Sequence, residues 1–329
     1  MRGLSFAGRL QGRKMKRILL YLVAVIAGLI ALMALFPEQT AKLGISAERS
    51  FSGLGYRTAV IGEETWHYLE GGPIDAEVVL LLHGFGGDKD NWTRFSRSLT
   101  EKYRVIAPDL PGFGESSRHQ EWDYTLPSQR NRVYGFVAAL GIERFHVIGH
   151  SMGGHLAALY THKHSTQVLS VALFNNAGIV APGESDMQRA LAGGDNPLVV
   201  ETEEDFERLL DFASAKPPFI PWPVKGVLAQ QAVNNGEFNQ LIFESLMTDR
   251  SSNLEPILAD IEAPALILWG EYDRLTDVSA VDVMRPLLPE ADVVIMKNTG
   301  HLPMLEHPGE TAGHYLEFLE KIPSPRDAI

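Results

Sequence analysis

The stretch FHVIGHSMGGHLAALY, Phe145 to Tyr160, decides how this chain is read. Phe145–Ile148 is a short apolar run of the kind that forms a strand buried on both faces, and Gly154–Tyr160 has the small and apolar residues of a helix. Between them lies Gly149-His150-Ser151-Met152-Gly153, a G-x-S-x-G pentapeptide. Composition alone would put such a pentapeptide in a chain this long about one time in ten, so the pattern is weak by itself. Its position gives it weight. A serine thrust out at a sharp strand-to-helix turn needs neighbours without Cβ atoms, which Gly149 and Gly153 supply. The helix that follows favours negative charge developing at its N-terminus.

Outward from this turn the chain alternates strand and helix. Glu77–Leu82, Arg104–Pro108, Val168–Phe174, Ala265–Trp269 and Ala291–Met296 are further short apolar runs bounded by Gly, Pro or Asp, and Tyr56–Leu69 reads as a hairpin turning at Gly62–Glu63. This order predicts an α/β fold with a mostly parallel, doubly wound sheet. Residues 179–262 lack strand candidates and contain amphipathic stretches such as Thr202–Phe212, whose Thr202 and Asp205 suit a capping box. They are expected to form a helical lid between two parts of the core, 56–178 and 263–329. Inside the lid, KPPFIPWPVKG (Lys216–Gly226) is rich in proline and large apolar groups. It reads as an ordinary lid loop, or as an acyl-pocket wall or lipid-touching surface in which Phe219, Ile220 and Trp222 would contact substrate.

A serine hydroxyl needs a base, and in an open parallel sheet the reacting groups sit at the carboxyl ends of strands. Of the eleven histidines, His301 follows the last strand directly (VVIMKNTGH). His67 lies in the hairpin, His162 and His164 end the helix after Ser151, and His307 begins the last helix. The imidazole needs a carboxylate, and Asp273 at the end of ALILW is preferred over Glu271 and Asp277; Asn175 and Asn176, after the preceding strand, cannot carry the charge. An oxyanion needs preorganised N–H donors, and His83-Gly84-Phe85-Gly86-Gly87 can bring its backbone to the serine, making Phe85 and Met152 the candidate donors. A simple glycine-rich turn is the plainer alternative. No G-x-x-x-x-G-K-[ST], G-x-G-x-x-G or H-E-x-x-H occurs, and the chain has no cysteine, so no phosphate loop, thiolate metal site or Cys nucleophile is expected.

HGFGG, DLPGFGES (Asp109–Ser116), GHSMGG, WGEYD (Trp269–Asp273) and GHLPMLEHP (Gly300–Pro308), in this order, resemble the α/β-hydrolases over about residues 56–321. HGFGGDKDNWTR with the lid pieces NPL, EEDF and KPPFIP is most similar to bacterial lipase/esterases of the monoacylglycerol-lipase-like branch. The resemblance implies Ser151 as nucleophile, His301 as base, Asp273 as acid, Phe85 and Met152 as oxyanion donors, no metal or organic cofactor, and an apolar ester or acylglycerol substrate. DLPGFGES would support the site from behind. Carbon–carbon bond hydrolases, which carry G-P-G where this chain has Gly86-Gly87-Asp88, and cofactor-free haloperoxidases are the alternatives, with an inactive membrane-bound binding protein as a third. Serine at 151 disfavours the aspartate-nucleophile dehalogenases and epoxide hydrolases.

Charge divides the chain in two. Arg2, Arg9, Arg13, Lys14, Lys16 and Arg17 precede any acid, and without them 23 basic residues face 41 acidic ones. That balance disfavours nucleic-acid binding. Ile18–Phe36 is nineteen uncharged residues, about 28 Å as a helix, and 1–37 therefore reads as a basic N-terminus with a membrane anchor. A cleaved signal peptide, releasing a secreted protein, and a buried globular helix are the alternatives. Flanking charge puts the N-terminus in the cytoplasm and the larger domain on the periplasmic or extracytoplasmic side. Residues 38–55 are expected to be a spacer.

Overall fold

The computed structural model describes residues 4–249 and 253–322, with side chains from Met15 onward, so Arg2 lies outside the described residues and Arg9, Arg13 and Lys14 outside the described side chains. The chain divides into two compact units. One comprises Ala47–Phe219 and Ala229–Ile329; the other joins Met1–Ser46 to Ile220–Leu228.

The larger unit holds an eight-stranded sheet in the order β1-β2-β4-β3-β5-β6-β7-β8. Its strands are β1 (Leu54–Ile61), β2 (Glu64–Gly71), β3 (Val78–Leu82), β4 (Arg104–Pro108), β5 (Phe145–His150), β6 (Val168–Phe174), β7 (Ala265–Gly270) and β8 (Asp292–Met296). β1 and β2 form the hairpin, turning at Gly62–Glu63, and β2 joins β4 antiparallel; every other pairing is parallel. The apolar runs are continuous because both faces are covered. Along β3, Val78, Leu80 and Leu82 enter one core and Val79 and Leu81 the other.

The order in which strands are added reverses about β3, with β4 on one side and β5 on the other. Crevices in doubly wound sheets open at such a point, outside the carboxyl ends of the strands. Leu82 is in register with Gly149, and His150 with Phe174, so the loops leaving β3, β5 and β6 emerge side by side.

Among the helices used below, α1 is Leu4–Leu35, α2 Pro37–Phe51, α3 Met152–Lys163, α4 Glu203–Ala213, α5 Val224–Thr248 and α6 Pro308–Leu319. The capping box at Thr202 and Asp205 starts α4 as expected. The spacer expected at 38–55 is mostly the helix α2. Gly44 costs a helix about 1 kcal/mol relative to Ala, but tertiary pairs made by the end of α2 compensate. Arg49 grips Asp90 through two hydrogen bonds of 2.7 and 2.6 Å, and Glu48 accepts from Arg94 at 2.6 Å.

Candidate active site

Ser151 stands between β5 and α3 with φ 54° and ψ −119°, a left-handed backbone forced on a residue with a Cβ. Such a conformation costs about 1–3 kcal/mol and persists only where its surroundings impose it. They do so through Ser151 N–H, which donates to Phe174 O at 3.0 Å, and Ser151 C=O, which accepts from His155 and Ala177 N–H. The glycines are steric necessities. A Cβ at 149 would lie 2.0 Å from Gly153 O, and one at 153 would lie 2.3 Å from Leu82 O. Gly149→Ala is expected to destabilise the protein by more than about 4 kcal/mol, because backbone rather than a side-chain tip must give way; a denaturant melt with Gly135→Ala as control, where nothing lies within 4 Å, checks it.

His301 and Asp273 come together from the loops after β8 and β7. Nδ1 of His301 donates to Asp273 Oδ2 at 2.8 Å, with both residues at least nine-tenths buried. That carboxylate is saturated with donors: Oδ2 also accepts from Asn175 Nδ2 (2.6 Å) and Thr276 Oγ1 (2.7 Å), and Oδ1 accepts from the N–H groups of Leu275 and Thr276. Burial alone would raise the pKa of Asp273, but His301 and these donors hold it below the usual carboxylate range. Glu271 and Asp277 bond instead to Asn298 N–H and to Ser279. Among the described residues Ser151 Oγ makes no hydrogen bond.

The loop after β3 lies against the serine. A Cβ at Gly84 would sit 3.0 Å from Ser151 Cβ, so only glycine permits the approach. His83 sets the loop's path: Nε2 accepts from Leu110 N–H at 3.0 Å, which leaves Nδ1 protonated to donate to Gly84 O at 2.8 Å. Burial keeps His83 below the ordinary imidazole range and therefore neutral. The Phe85 N–H has no backbone acceptor among the described residues, and the Met152 N–H, first in α3, has no intrahelical one.

Behind the loop, DLPGFGES is a polar anchor. Asp109, fully buried, accepts from Lys89 N–H (2.7 Å), Lys89 Nζ (2.8 Å) and Glu115 N–H (2.8 Å). Although burial opposes its charge, Lys89 is held above the ordinary lysine range by Asp109, Asp88 and Asp90. Asp88 is pushed up to about 7 by burial and by the Asp90 and Asp109 carboxylates. The folded state thus keeps a proton that the unfolded chain loses between about pH 4 and pH 7. Stability falls across that window as pH rises, and the full cost persists above it. Asp88→Asn retains an N-cap acceptor; it is expected to raise Tm more at pH 8 than at pH 5, as paired thermal melts would show.

Three supporting groups escaped the sequence reading. Glu306 gathers backbone N–H groups from both sides of His301, Gly300 at 3.0 Å and Leu302 at 3.2 Å, together with Ala215 at 2.8 Å and Lys216 at 3.2 Å. Thr276 supports Asp273, and His150 Nε2 bonds to His301 O at 2.7 Å. Of the three candidate substrate contacts in the lid, Phe219 is 80% exposed and Trp222 59% exposed, and Ile220 is half-buried.

The alpha/beta hydrolase fold family profile matches residues 77–308. Lipase 1 of Psychrobacter immobilis is 37% identical over 287 residues, 87% of this chain and 90% of that protein. A monoacylglycerol lipase of Xenopus laevis, abhd6-A, is 29% identical over 317 residues, covering 92% and 93%. A crystal structure described as a membrane phospholipase A, a novel bacterial virulence factor, superposes with a TM-score of 0.86 at 47% identity, covering 93% of this chain and 99% of that one. An elbow serine preceded by His150, which bonds to His301 of a buried His–Asp pair, together with this coverage and identity, identifies the chain as a member of the alpha/beta hydrolase fold family and as a lipase/esterase hydrolase.

Proposed function

We propose that Ser151, His301 and Asp273 hydrolyse carboxylic esters of lipids, acylglycerols among them, through an acyl-enzyme. Ser151 Oγ attacks the ester carbonyl while His301 Nε2 takes its proton, and the oxyanion lies between the Phe85 and Met152 N–H groups. Collapse returns the proton to the departing alcohol and leaves the acyl group on Ser151. Water, deprotonated by the same imidazole, then releases the acid. The observation that carries this reading is the buried His301–Asp273 pair, whose His301 is bonded to His150, the residue before a serine held at positive φ. Relatives named lipase, monoacylglycerol lipase and phospholipase A support the substrate class. The test is a panel of esters from acetyl to long acyl, with monoacylglycerols, phospholipids and a dienone carbon–carbon substrate alongside. Turnover rising with acyl length is expected; turnover confined to the dienone would overturn the proposal.

We also infer that Met15–Leu35 anchors the protein in a membrane, with the N-terminus cytoplasmic. The segment has a mean hydropathy of 2.9 and none of it is buried within the protein. The lid piece Ile220–Leu228 belongs to the same compact unit, and Val224 Cγ2 lies 3.6 Å from where a Cβ on Gly44 would be. With Pro223 buried and Trp222 turned outward, this piece suits lipid contact better than an enclosed acyl-pocket wall. Because the chain has no cysteine, Ile26→Cys and Trp222→Cys each give a single labelling site. In nanodiscs, lipid-borne quenchers should quench a fluorophore at 26 deeply and one at 222 at headgroup depth. An unquenched label at 26 would dismiss the anchor, and one unquenched only at 222 would dismiss the lipid contact. Protease protection of the catalytic part in intact cells tests sidedness.

A further inference from the structure

His150 is the last residue of β5 and is 3% exposed, yet the ester-hydrolysis scheme gives it no part. Its Nε2 lies 2.7 Å from the carbonyl oxygen of His301. A carbonyl only accepts, so Nε2 carries the proton and Nδ1 is bare. The two imidazoles are 4.7 Å apart, centroid to centroid, and the Nδ1 edge of His150 faces the oxyanion loop, where a Cβ at Gly84 would lie 2.9 Å from it. One ring therefore touches the loop of the base and the loop of the oxyanion donors while being covalently joined to the nucleophile.

We propose that His150 is a positioning residue that holds the base at its working distance from the nucleophile, acting through the His301 backbone. This rests on Ser151 and His301 being the nucleophile and base. The other ties on the His301 loop come from elsewhere in the chain: His301 N–H donates to Ala213 O at 2.8 Å, at the end of α4, and the flanking N–H groups of Gly300 and Leu302 go to Glu306. Those bonds register the base against the lid and the Pro303–Glu306 turn. His150 is the tie that registers it against Ser151, because the ring and the serine are adjacent residues at the end of a strand paired on both sides. The group is also suited to staying neutral. Burial and the neighbouring His301 hold His150 well below the ordinary imidazole range, so it does not compete for the proton that His301 takes. A misplacement of about 1 Å between reacting groups can cost about 100-fold in rate, which gives this single hydrogen bond a kinetic meaning beyond its stability.

The test compares three variants of the full chain. In His150→Gln the side-chain amide N–H can reach where Nε2 stood; in His150→Asn it stops near the position of Nδ1; His150→Phe keeps the ring and removes the donor. His150→Gln is expected to keep kcat within about 3-fold of the parent, while Asn and Phe lose roughly 30- to 100-fold in kcat with KM nearly unchanged. Covalent labelling of Ser151 by a fluorophosphonate should slow in the same proportion, because it reports on activation of the nucleophile without the acyl pocket. Equal kcat for the Gln and Asn variants would overturn the proposal, as would a loss confined to KM with labelling undiminished. If the Phe variant fails to fold, the Gln and Asn pair, both polar amides, decides. Retained turnover in Ser151→Ala or His301→Ala would instead remove the nucleophile or the base, and this inference with it.

Discussion

Ser151→Ala is expected to abolish ester turnover, by about 10⁴-fold or more, and to eliminate fluorophosphonate labelling, while leaving the melting temperature almost unchanged. The two halves of this expectation have different origins. Loss of rate follows because nucleophile and base act as a unit, so that without Oγ only oxyanion and binding contributions remain. Retention of stability follows from the structure: Ser151 Oγ has no hydrogen bond to lose among the described residues, and alanine, also bearing a Cβ, inherits the φ 54° backbone without adding strain. Steady-state assay, probe labelling and a thermal melt on one preparation separate these. Turnover above about 1% of the parent would remove Ser151 as nucleophile, and a large fall in Tm would mean that the hydroxyl supports the elbow.

What the sequence made legible, and what it did not, divides along the range of the interactions. β4 and β6 coincide with their apolar runs, because a strand covered on both faces must be apolar along its length, and Pro, Gly and Asp punctuate its ends. The elbow was legible for a steric reason, since Gly149 and Gly153 occupy places where a Cβ would meet backbone at 2.0 and 2.3 Å. Asp273 and His301 could be named because chain order in a parallel sheet already determines which strand ends are neighbours. α2 was missed because Gly44, Ser52 and Gly53 look like breakers, while Arg49–Asp90 and Glu48–Arg94 join residues more than forty positions apart. His150 and Glu306 were missed for the same reason. Their partners are backbone carbonyl and amide groups, which every residue carries and which leave no signature in a sequence. Asn175 cannot carry the charge, yet its amide donates to Asp273, the carboxylate proposed as the acid.

That saturated carboxylate sets the second large expectation, for Asp273→Asn. In the parent each carboxylate oxygen faces only donors: Asn175, Thr276 Oγ1 and His301 on Oδ2, and the Leu275 and Thr276 N–H groups on Oδ1. An asparagine amide has one oxygen and one NH₂ group, so whichever way it turns, NH₂ must point at donors. If NH₂ replaces Oδ2, His301 can accept at Nδ1 only by moving its proton to Nε2, where it blocks removal of the serine proton. If NH₂ replaces Oδ1, two backbone N–H groups lose their acceptor in a buried site, which costs about 1–3 kcal/mol each. Either orientation removes the negative charge that stabilises the imidazolium. We therefore expect kcat to fall by about 10³- to 10⁴-fold near neutral pH and, unlike Ser151→Ala, Tm to fall as well. The parent's own stability should drop in acid for a related reason. Because the folded pKa of Asp273 lies below its unfolded value, its contribution is present in full above the unfolded value and disappears as pH falls through the folded one. The difference in Tm between parent and Asp273→Asn should accordingly narrow at acid pH, and a difference independent of pH would show that packing, not charge, makes this residue matter.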